Sequence, residues 1–528
     1  LFHFFTVSIV RCPGVRLSIR LLFIKFNNFP GQLQHLKRLS PFYPADTTGL
    51  FTNFAIGDTT VNYKFHTTLL MLKSDHSDLY LRLRKDYPVF EYQHFSVDVT
   101  SEGVYMEFVF NLGPGYTFRP SAFIPAGNLR KESLNYAVNQ PGLMRNIAFN
   151  IGMIELISYW KASCAPVVRV KPASLSPEQV NWWKKLYYSG LGEFFYMNSL
   201  SVDPDSFVEI IPEGADQFST FPVNLSEGIL VPLGGGKDSV VTLELLKQGN
   251  RNIMPLIMNP RGATVHTAAA GGFGMNEVIT IQRNLDPLLL KLNDQGFLNG
   301  HTPFSAMLAF YTLMASLLTG YRHIALSNES SANEATVPGT KINHQYSKSF
   351  EFESAFREYY SKFISPGFDY FSFLRPLGEL QIAKIFSVLK PYHNVFRSCN
   401  AGSKTDSWCG KCPKCLFTSI ILSPFAGIRE TERMLGHDML NDPEMQDTFD
   451  ELCGLAENKP FECVGTINEV NIALQMMLQQ PGPEELPLLL RRYEGIKGRF
   501  NPEVCFSSLN SEHCVPPQLL NLLKEALQ

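Results

Sequence analysis

The sequence predicts an α/β protein: a parallel sheet with helices on both faces, preceded by a small antiparallel β region and followed by a helical C-terminal region. Three observations carry this. Between residues 228 and about 330, short apolar runs alternate with helical segments ("GILVPL", "VVTLELLKQ", "IMPLIM", "FSAMLAFYTLMASLL", "HIALSN"), the pattern of strands joined by crossover helices. Upstream, from Phe90 to about residue 125, "FEYQHFSVDV", "VYMEFVFNL" and "YTFRPSAFI" are rich in aromatic and β-branched residues, with "TSEG" as a turn; they read as antiparallel strands. Beyond residue 420 helical patterns predominate, broken by "QQPGPEELP" at 479–487.

The elements follow in chain order. The sequence opens with Leu1, has no methionine before Met71, and mixes basic and aromatic residues without clear period over its first thirty positions. Arg11, Arg16 and Arg20 interrupt what a signal peptide would keep apolar, so residues 1–70 are expected to be a non-native or disordered extension, with the native start near Met71. In "MRNIAFNIGMIELISYWKAS", Ile147, Ile151 and Ile154 share one face of a helix. "SLSPEQVNWWKKLYYSG" predicts a helix with Ser176 as N-cap, Pro177 first, Gln179 completing a capping box and Gly190 as the stop. The expected domains are 71–220 (β plus helical), 221–420 (parallel sheet) and 421–528 (helical).

Composition narrows the function. Of 528 residues 45% are apolar and 18% charged, with a formal net charge of −3, so no basic surface points to nucleic acid. The longest apolar run, 304–318, is shorter than the roughly 20 residues that span a bilayer, and reads as a buried helix. Three of the ten cysteines crowd into "CGKCPKC", which suits a metal better than a disulfide framework and implies a reducing, cytoplasmic compartment.

The stretch "GILVPLGGGKDSVV" places a glycine-rich loop between an apolar strand ending at Leu233 and a helix expected to begin after Ser239. Free N–H groups and the helix dipole favour an anion there. A Walker A loop fails, because Asp238 follows Lys237 and Val231 stands where its first glycine should be. A dinucleotide fingerprint would need glycine in place of Ser239. "GGGKDS" resembles the pyrophosphate loop, usually written SGGxDS, of the ATP pyrophosphatases, which share a sheet architecture of the HUP-like type and cleave ATP between the α and β phosphates. That resemblance implies that Gly234, Gly235, Gly236 and Ser239 cradle the pyrophosphate, that Lys237 offsets its charge and that Asp238 helps hold Mg²⁺. Gly234 replaces the usual first serine.

Cys399, Cys409, Cys412 and Cys415 form two overlapping C-x2-C knuckles with a fourth thiol nearby, enough for a closed tetrahedral site. Structural Zn²⁺ is expected, with an iron–sulfur cluster as the alternative. "SNESSANE" (327–334) follows a predicted strand, so Asn328, Glu329, Asn333 and Glu334 are expected at the same crevice; "NHQYSKS" adds His344, Tyr346 and Lys348.

Together "IELISYWKASC", "WWKKLYYSGLGEFFYMN", "LGGGKDSVVTLELLK", "SNESSANE", "NHQYSKSFEFE", "CGKCPKC" and "KPFECVGT" resemble the MurL-type UDP-N-acetylmuramoyl-L-alanyl-L-glutamate epimerases over roughly residues 90–480. The resemblance implies an ATP-dependent isomerase of peptidoglycan precursor synthesis acting on a small-molecule UDP-muramoyl dipeptide, with ATP and Mg²⁺ required and no pyridoxal cofactor. Adenylating the glutamate carboxylate would acidify its α-proton, so that a base takes the proton from one face and an acid returns one to the other. Cys164, His344, Lys348 and Cys463 are chemically able to shuttle it. Two rivals share features: an enzyme of nucleobase or tRNA modification resembling the 7-cyano-7-deazaguanine synthases, which would carry the same loop and cysteine site, and a non-catalytic zinc-stabilised binding protein, which would have no use for Asp238.

Overall fold

In the computed structural model, residues 74–528 are described except 250–251, 338, 341, 400, 403–404, 481–484 and 501–505. Before residue 74 only four strands are described, so the expectations for residues 1–70 as an extension and for Met71 as the start fall largely outside the described residues. The chain divides into two compact units, Leu1–Leu72 and Lys73–Gln528. In the first unit β1 (Ile9–Val10) pairs antiparallel with β2 (Arg16–Leu17), and β3 (Leu50–Ile56) with β4 (Thr59–Phe65).

The second unit is organised by one eleven-stranded sheet. Its strands are β5 (Val89–Val99), β6 (Gly103–Leu112), β7 (Tyr116–Phe118), β8 (Ser121–Pro125), β9 (Val167–Val170), β10 (Glu209–Pro212), β11 (Ser226–Pro232), β12 (Ile253–Met258), β13 (Ile279–Asn284), β14 (Tyr321–Leu326) and β15 (Asp369–Ser372). The order is β10-β9-β5-β6-β8-β13-β12-β11-β14-β15, with β7 beside β6. The antiparallel region is therefore not a separate layer: β8 pairs antiparallel with β13 and joins it to the parallel half across the boundary expected at 220/221. "YTFRPSAFI" is two strands rather than one, interrupted at Arg119–Pro120, because proline cannot donate to the ladder.

Strands β13, β12, β11, β14 and β15 are all parallel. Numbered by their order in the chain, these five read 3-2-1-4-5, the doubly wound order in which the connections leave the sheet in opposite directions on either side of the first strand. The crevice at such a switch point opens between the loops that follow β11 and β14.

Side chains alternate between two cores, as the period of two requires. Leu230, Leu256, Ile324 and Tyr370 face one, and Ile229, Val231, Ile257, Ala325 and Phe371 the other. The first core holds helices Pro141–Trp160 and Phe304–Thr319; the second holds Lys237–Gln248, Glu379–Ser387 and the C-terminal helices. Helix Phe304–Thr319 matches the buried apolar run and stops at Gly320, whose φ is 73°. Pro177–Gly190 has the capping box read from its sequence. In helix Pro141–Trp160, Ile147, Ile151 and Ile154 share one face as expected, and burial extends to every side from Asn146 onward. Its polar groups are satisfied internally: Asn146 donates to Phe363 O at 2.8 Å, Tyr359 donates to Asn150 Oδ1 at 2.7 Å, and Glu155 receives Arg283 Nη2 at 2.7 Å and Tyr311 at 2.9 Å. No described helix is long and apolar enough to cross a membrane.

Candidate active site at the switch point

The helix after the glycine loop begins at Lys237, not after Ser239 as its apolar pattern suggested. Gly236 has the extended geometry of an N-cap, and its carbonyl receives both Val240 N at 3.2 Å and Ser239 Oγ at 2.9 Å, which draws Lys237, Asp238 and Ser239 into the first turn. No side chain caps this end, so its N–H groups are left for another partner. Gly235 has φ 80°, and a Cβ on it would lie 3.0 Å from the carbonyl carbon of Ala263; a Cβ on Gly234 would meet nothing within 4 Å. The loop is packed on one side and open on the other.

Lys237 is buried and forms ion pairs with Asp238 and Glu379. Burial alone would lower its pKa, but the two carboxylates outweigh it and raise it. Burial also pushes the Glu379 carboxyl well above its usual range; Lys237 opposes this, whereas Asp238, Glu329 and Glu469 add to it. Glu329, on the loop after β14, is raised by burial and then by Asp238, with Arg375 opposing. Four carboxylates thus converge where the two loops meet. Arg375 is fully buried and braces this crevice by donating to the carbonyls of Glu329 and Lys348. Glu379, Glu469 and Arg375 carry no sequence signal that singles them out: Glu379 follows Gly378 in a segment without a motif, and Glu469 reads as a capping residue for helix Ile467–Gln479, a role it also fills.

A second cluster adjoins the first. Lys348 Nζ donates to Cys463 Sγ at 3.1 Å, and Lys348 also feels the charges of Glu329 and Asp238. His344 Nδ1 donates to Glu193 Oε2, and His301 Nδ1 lies 3.1 Å from the same oxygen. The ligand-type atoms of Glu193, His301 and His344 lie within 4.8 Å of one another. Burial would raise the Cys463 thiol, but Lys348, Lys414 and His344 overcome it and hold the thiol well below its usual range. Burial would lower His344, yet Cys463 and Glu193 bring it up to about 9. His301 falls to about 4 through burial and the neighbouring His344. The Cys463 segment is pinned from both sides: Lys459 pairs with Glu334 and donates to Gly465 O at 2.9 Å, and the Phe461 ring lies 5.2 Å from that of Tyr196.

Cys399, Cys409, Cys412 and Cys415 also meet. Sulfur separations are 3.8 Å for Cys399–Cys412, 3.7 Å for Cys409–Cys415 and 3.4 Å for Cys412–Cys415, and the described cysteines are all free of disulfides. This knot abuts the glycine loop, since Arg397 N donates to Gly235 O at 2.7 Å.

The MurL N-terminal domain model matches residues 82–373 and the MurL C-terminal domain model residues 395–501. The chain belongs to the MurL family. It is 36% identical over 346 residues to the UDP-N-acetyl-alpha-D-muramoyl-L-alanyl-L-glutamate epimerase of Salinispora tropica, covering 64% of this chain and 74% of that protein. Against the protein of the same name from Xanthomonas oryzae pv. oryzae it is 32% identical over 379 residues, 70% of this chain and 83% of the relative. No solved structure matches. The crevice draws on both MurL segments: the glycine loop, Glu329, His344 and Lys348 come from the first, and Cys463 and the four-cysteine knot from the second.

Within this MurL chain several residues expected at the crevice have partners within the fold. Asn328 donates to Ser372 Oγ at 3.0 Å at the end of β15, Asn333 receives Phe350 N at 2.8 Å, Glu334 pairs with Lys459, and Tyr346 is buried with its ring 6.3 Å from that of Phe352. Cys164 is fully buried with its thiol pushed up by burial and its Sγ donating to Lys161 O at 3.4 Å, which removes it from the candidates for proton transfer.

Proposed function

We propose that this chain epimerises the terminal L-glutamate of UDP-MurNAc-L-Ala-L-Glu to D-glutamate, in cytoplasmic peptidoglycan precursor synthesis, by first adenylating the glutamate carboxylate with ATP. The observation that carries this reading is the adjacency of two clusters in a chain of the MurL family: an anion-accepting helix N-terminus at Gly234–Ser239, and beside it the proton-handling groups Lys348, His344 and Cys463. Neither is sufficient alone. The first activates a carboxylate; the second moves a proton.

The chemistry requires both. A proton beside an ionised carboxylate is held tightly, because its removal would leave a dianion. When a carboxylate oxygen attacks the α-phosphorus of ATP, pyrophosphate leaves, and the resulting acyl adenylate lets the electron pair of the broken C–H bond move onto its carbonyl oxygen. The uncapped N–H groups of the Lys237 turn are suited to the phosphates, with the open side of Gly234 giving them room. After the proton is returned on the opposite face, water releases AMP and the D-isomer.

The donor sets fit two metal ions. The crowding of Asp238, Glu329 and Glu379 is one that a cation would relieve, and hard carboxylate oxygens suit Mg²⁺, which when bound would offset phosphate charge. Four thiolates about a zinc at a bond length of about 2.3 Å stand about 3.8 Å apart, close to the separations here, so Cys399, Cys409, Cys412 and Cys415 would hold a structural Zn²⁺. A closed shell of this kind would brace the glycine loop through Arg397.

Turnover of UDP-MurNAc-L-Ala-L-Glu in heavy water tests the reading. Deuterium should appear on the glutamate α-carbon, D-glutamate should be found after acid hydrolysis, and both should require ATP and Mg²⁺ with AMP formed rather than ADP. Asp238→Asn should remove most pyrophosphate release. AMP and pyrophosphate without α-deuterium would assign the chain to an amide-forming or thiolating reaction instead.

A further inference from the structure

Among the described residues, Cys463 differs from the other cysteines in its surroundings. Cys164 and Cys453 are buried in the two cores, Cys514 packs against the second with its thiol pushed up by burial, and four others form the knot at 399–415. Cys463 is half-buried, with an ammonium nitrogen 3.1 Å from its sulfur. Its neighbours come from separate parts of the chain: Lys348 from the turn Tyr346–Lys348, His344 from the loop before it, Lys414 from the first turn of helix Pro413–Ala426, and Glu193 behind His344 from helix Gly192–Met197. Glu462 lies beside it and pairs with Lys414 at 3.8 Å. One ammonium thus touches the sulfur, two further basic side chains lie near enough to influence it, and a buried carboxylate holds the imidazole of one of them. No packing requirement explains such an arrangement; an anionic sulfur at this position does.

Resting on the adenylation reading above, we infer that Cys463 is the base that takes the glutamate α-proton on one face of the α-carbon, with Lys348 beside it and the Glu193–His344 pair as positioning residues. The C–H bond breaks as the S–H bond forms, and the electron pair moves onto the carbonyl of the acyl adenylate. The opposite face receives a proton originating in water, and Cys463 then gives its own proton to water, so the thiolate is restored after each turnover. Lys348 cannot be the group on that opposite face, because its nitrogen is 3.1 Å from the sulfur, whereas two groups straddling one carbon at contact distance stand about twice as far apart. Its place beside the sulfur, within reach of the charge of Asp238, sets the thiolate next to the nucleotide loop.

The experiment measures two rates in the same full-length protein: ATP–pyrophosphate exchange in the presence of UDP-MurNAc-L-Ala-L-Glu, and deuterium entry at the glutamate α-carbon. Cys463→Ala should depress deuteration about 10²- to 10⁴-fold relative to its own exchange rate, the range a positioned base supplies. Lys348→Met and Glu193→Gln should shift the acidic limb of the deuteration–pH profile upward, and Lys348→Arg should restore it, which a loss of packing alone would not do. Independently of activity, iodoacetamide should alkylate Cys463 at a pH where an ordinary thiol is unreactive, and Lys348→Met should abolish that advantage. Undiminished deuteration in Cys463→Ala, or an acyl adduct on Cys463 released by hydroxylamine, would overturn the assignment. Wild-type deuteration without ATP would instead overturn adenylation, while the ratio of Cys463→Ala to wild-type deuteration would still judge the base.

Discussion

Replacing Lys237 with methionine removes one partner from a pair that water cannot easily reach. The Lys237 and Glu379 side chains are 4% and 6% exposed, so the Glu379 carboxylate would be left buried beside Asp238, Glu329 and Glu469. Asp238, at 34% exposed, can turn to solvent and contributes less. Methionine is close to lysine in length, so little packing is lost and the deficit is electrostatic. Breaking a buried pair in this way costs about 3–5 kcal/mol. Glu379→Gln in the same background removes the stranded charge, and the double variant should recover all but about 1–2 kcal/mol, the residue of an imperfectly paired amide. The pH dependence follows from the loss of Lys237, the group that opposes the rise which burial and the neighbouring carboxylates impose on Glu379. With Lys237 gone, native Glu379 retains a proton that the unfolded chain, with a carboxyl near about 4.3, has released, so stability falls as pH rises above that value. The deficit of Lys237→Met should be smallest near pH 4 and deepen toward pH 8, and the double variant should lack this slope. Urea denaturation across that range measures it through the midpoint, with the m-value as the check that the denatured state is unchanged. Wild-type stability of Lys237→Met at pH 8, or a double variant no more stable than the single, would refute the reasoning.

Gly235→Ala should cost about 1–2 kcal/mol from its left-handed backbone alone, and more from the contact with Ala263, whereas Gly234→Ala should leave the thermal midpoint unchanged; equal effects would contradict the packed and open sides of the loop. Metal analysis should find about one zinc per chain, and Cys412→Ser should lower metal content and solubility together; a metal-free protein that remains stable and active would argue against a structural site.

Local chemistry made a large part of this molecule legible. The capping box at Ser176 and Gln179, the apolar run at 304–318 and the glycine loop between β11 and its helix are each written within a few consecutive residues, and each lies where its pattern indicates. The four thiols were readable for the same reason: two knuckles and a neighbour constrain their own geometry. Strands β9, β10, β13 and β15 were not legible, being four to six residues long with no turn signature to announce them. Nor was the start of the site helix, because Lys237, Asp238 and Ser239 are polar and fall outside the apolar period while still forming its first turn.

The sequence by itself determined which residue types are available: a glycine-rich loop ahead of a helix, four clustered thiols, and His344, Lys348 and Cys463 as groups with titratable protons. Only the tertiary structure decided how they combine. Cys463 lies 115 positions from Lys348, and Glu193 lies 151 positions from His344, so no local pattern could relate them. Their meeting depends on the doubly wound strand order, which sends the loops after β11 and β14 to one crevice, and on the segment before helix Ile467–Gln479 folding back over it. The same closure separates Cys463 from Cys164. Both are cysteines, but one is buried in an apolar core that pushes its thiol pKa up, and the other lies among basic side chains that push its pKa down, a difference of environment that a linear sequence does not contain.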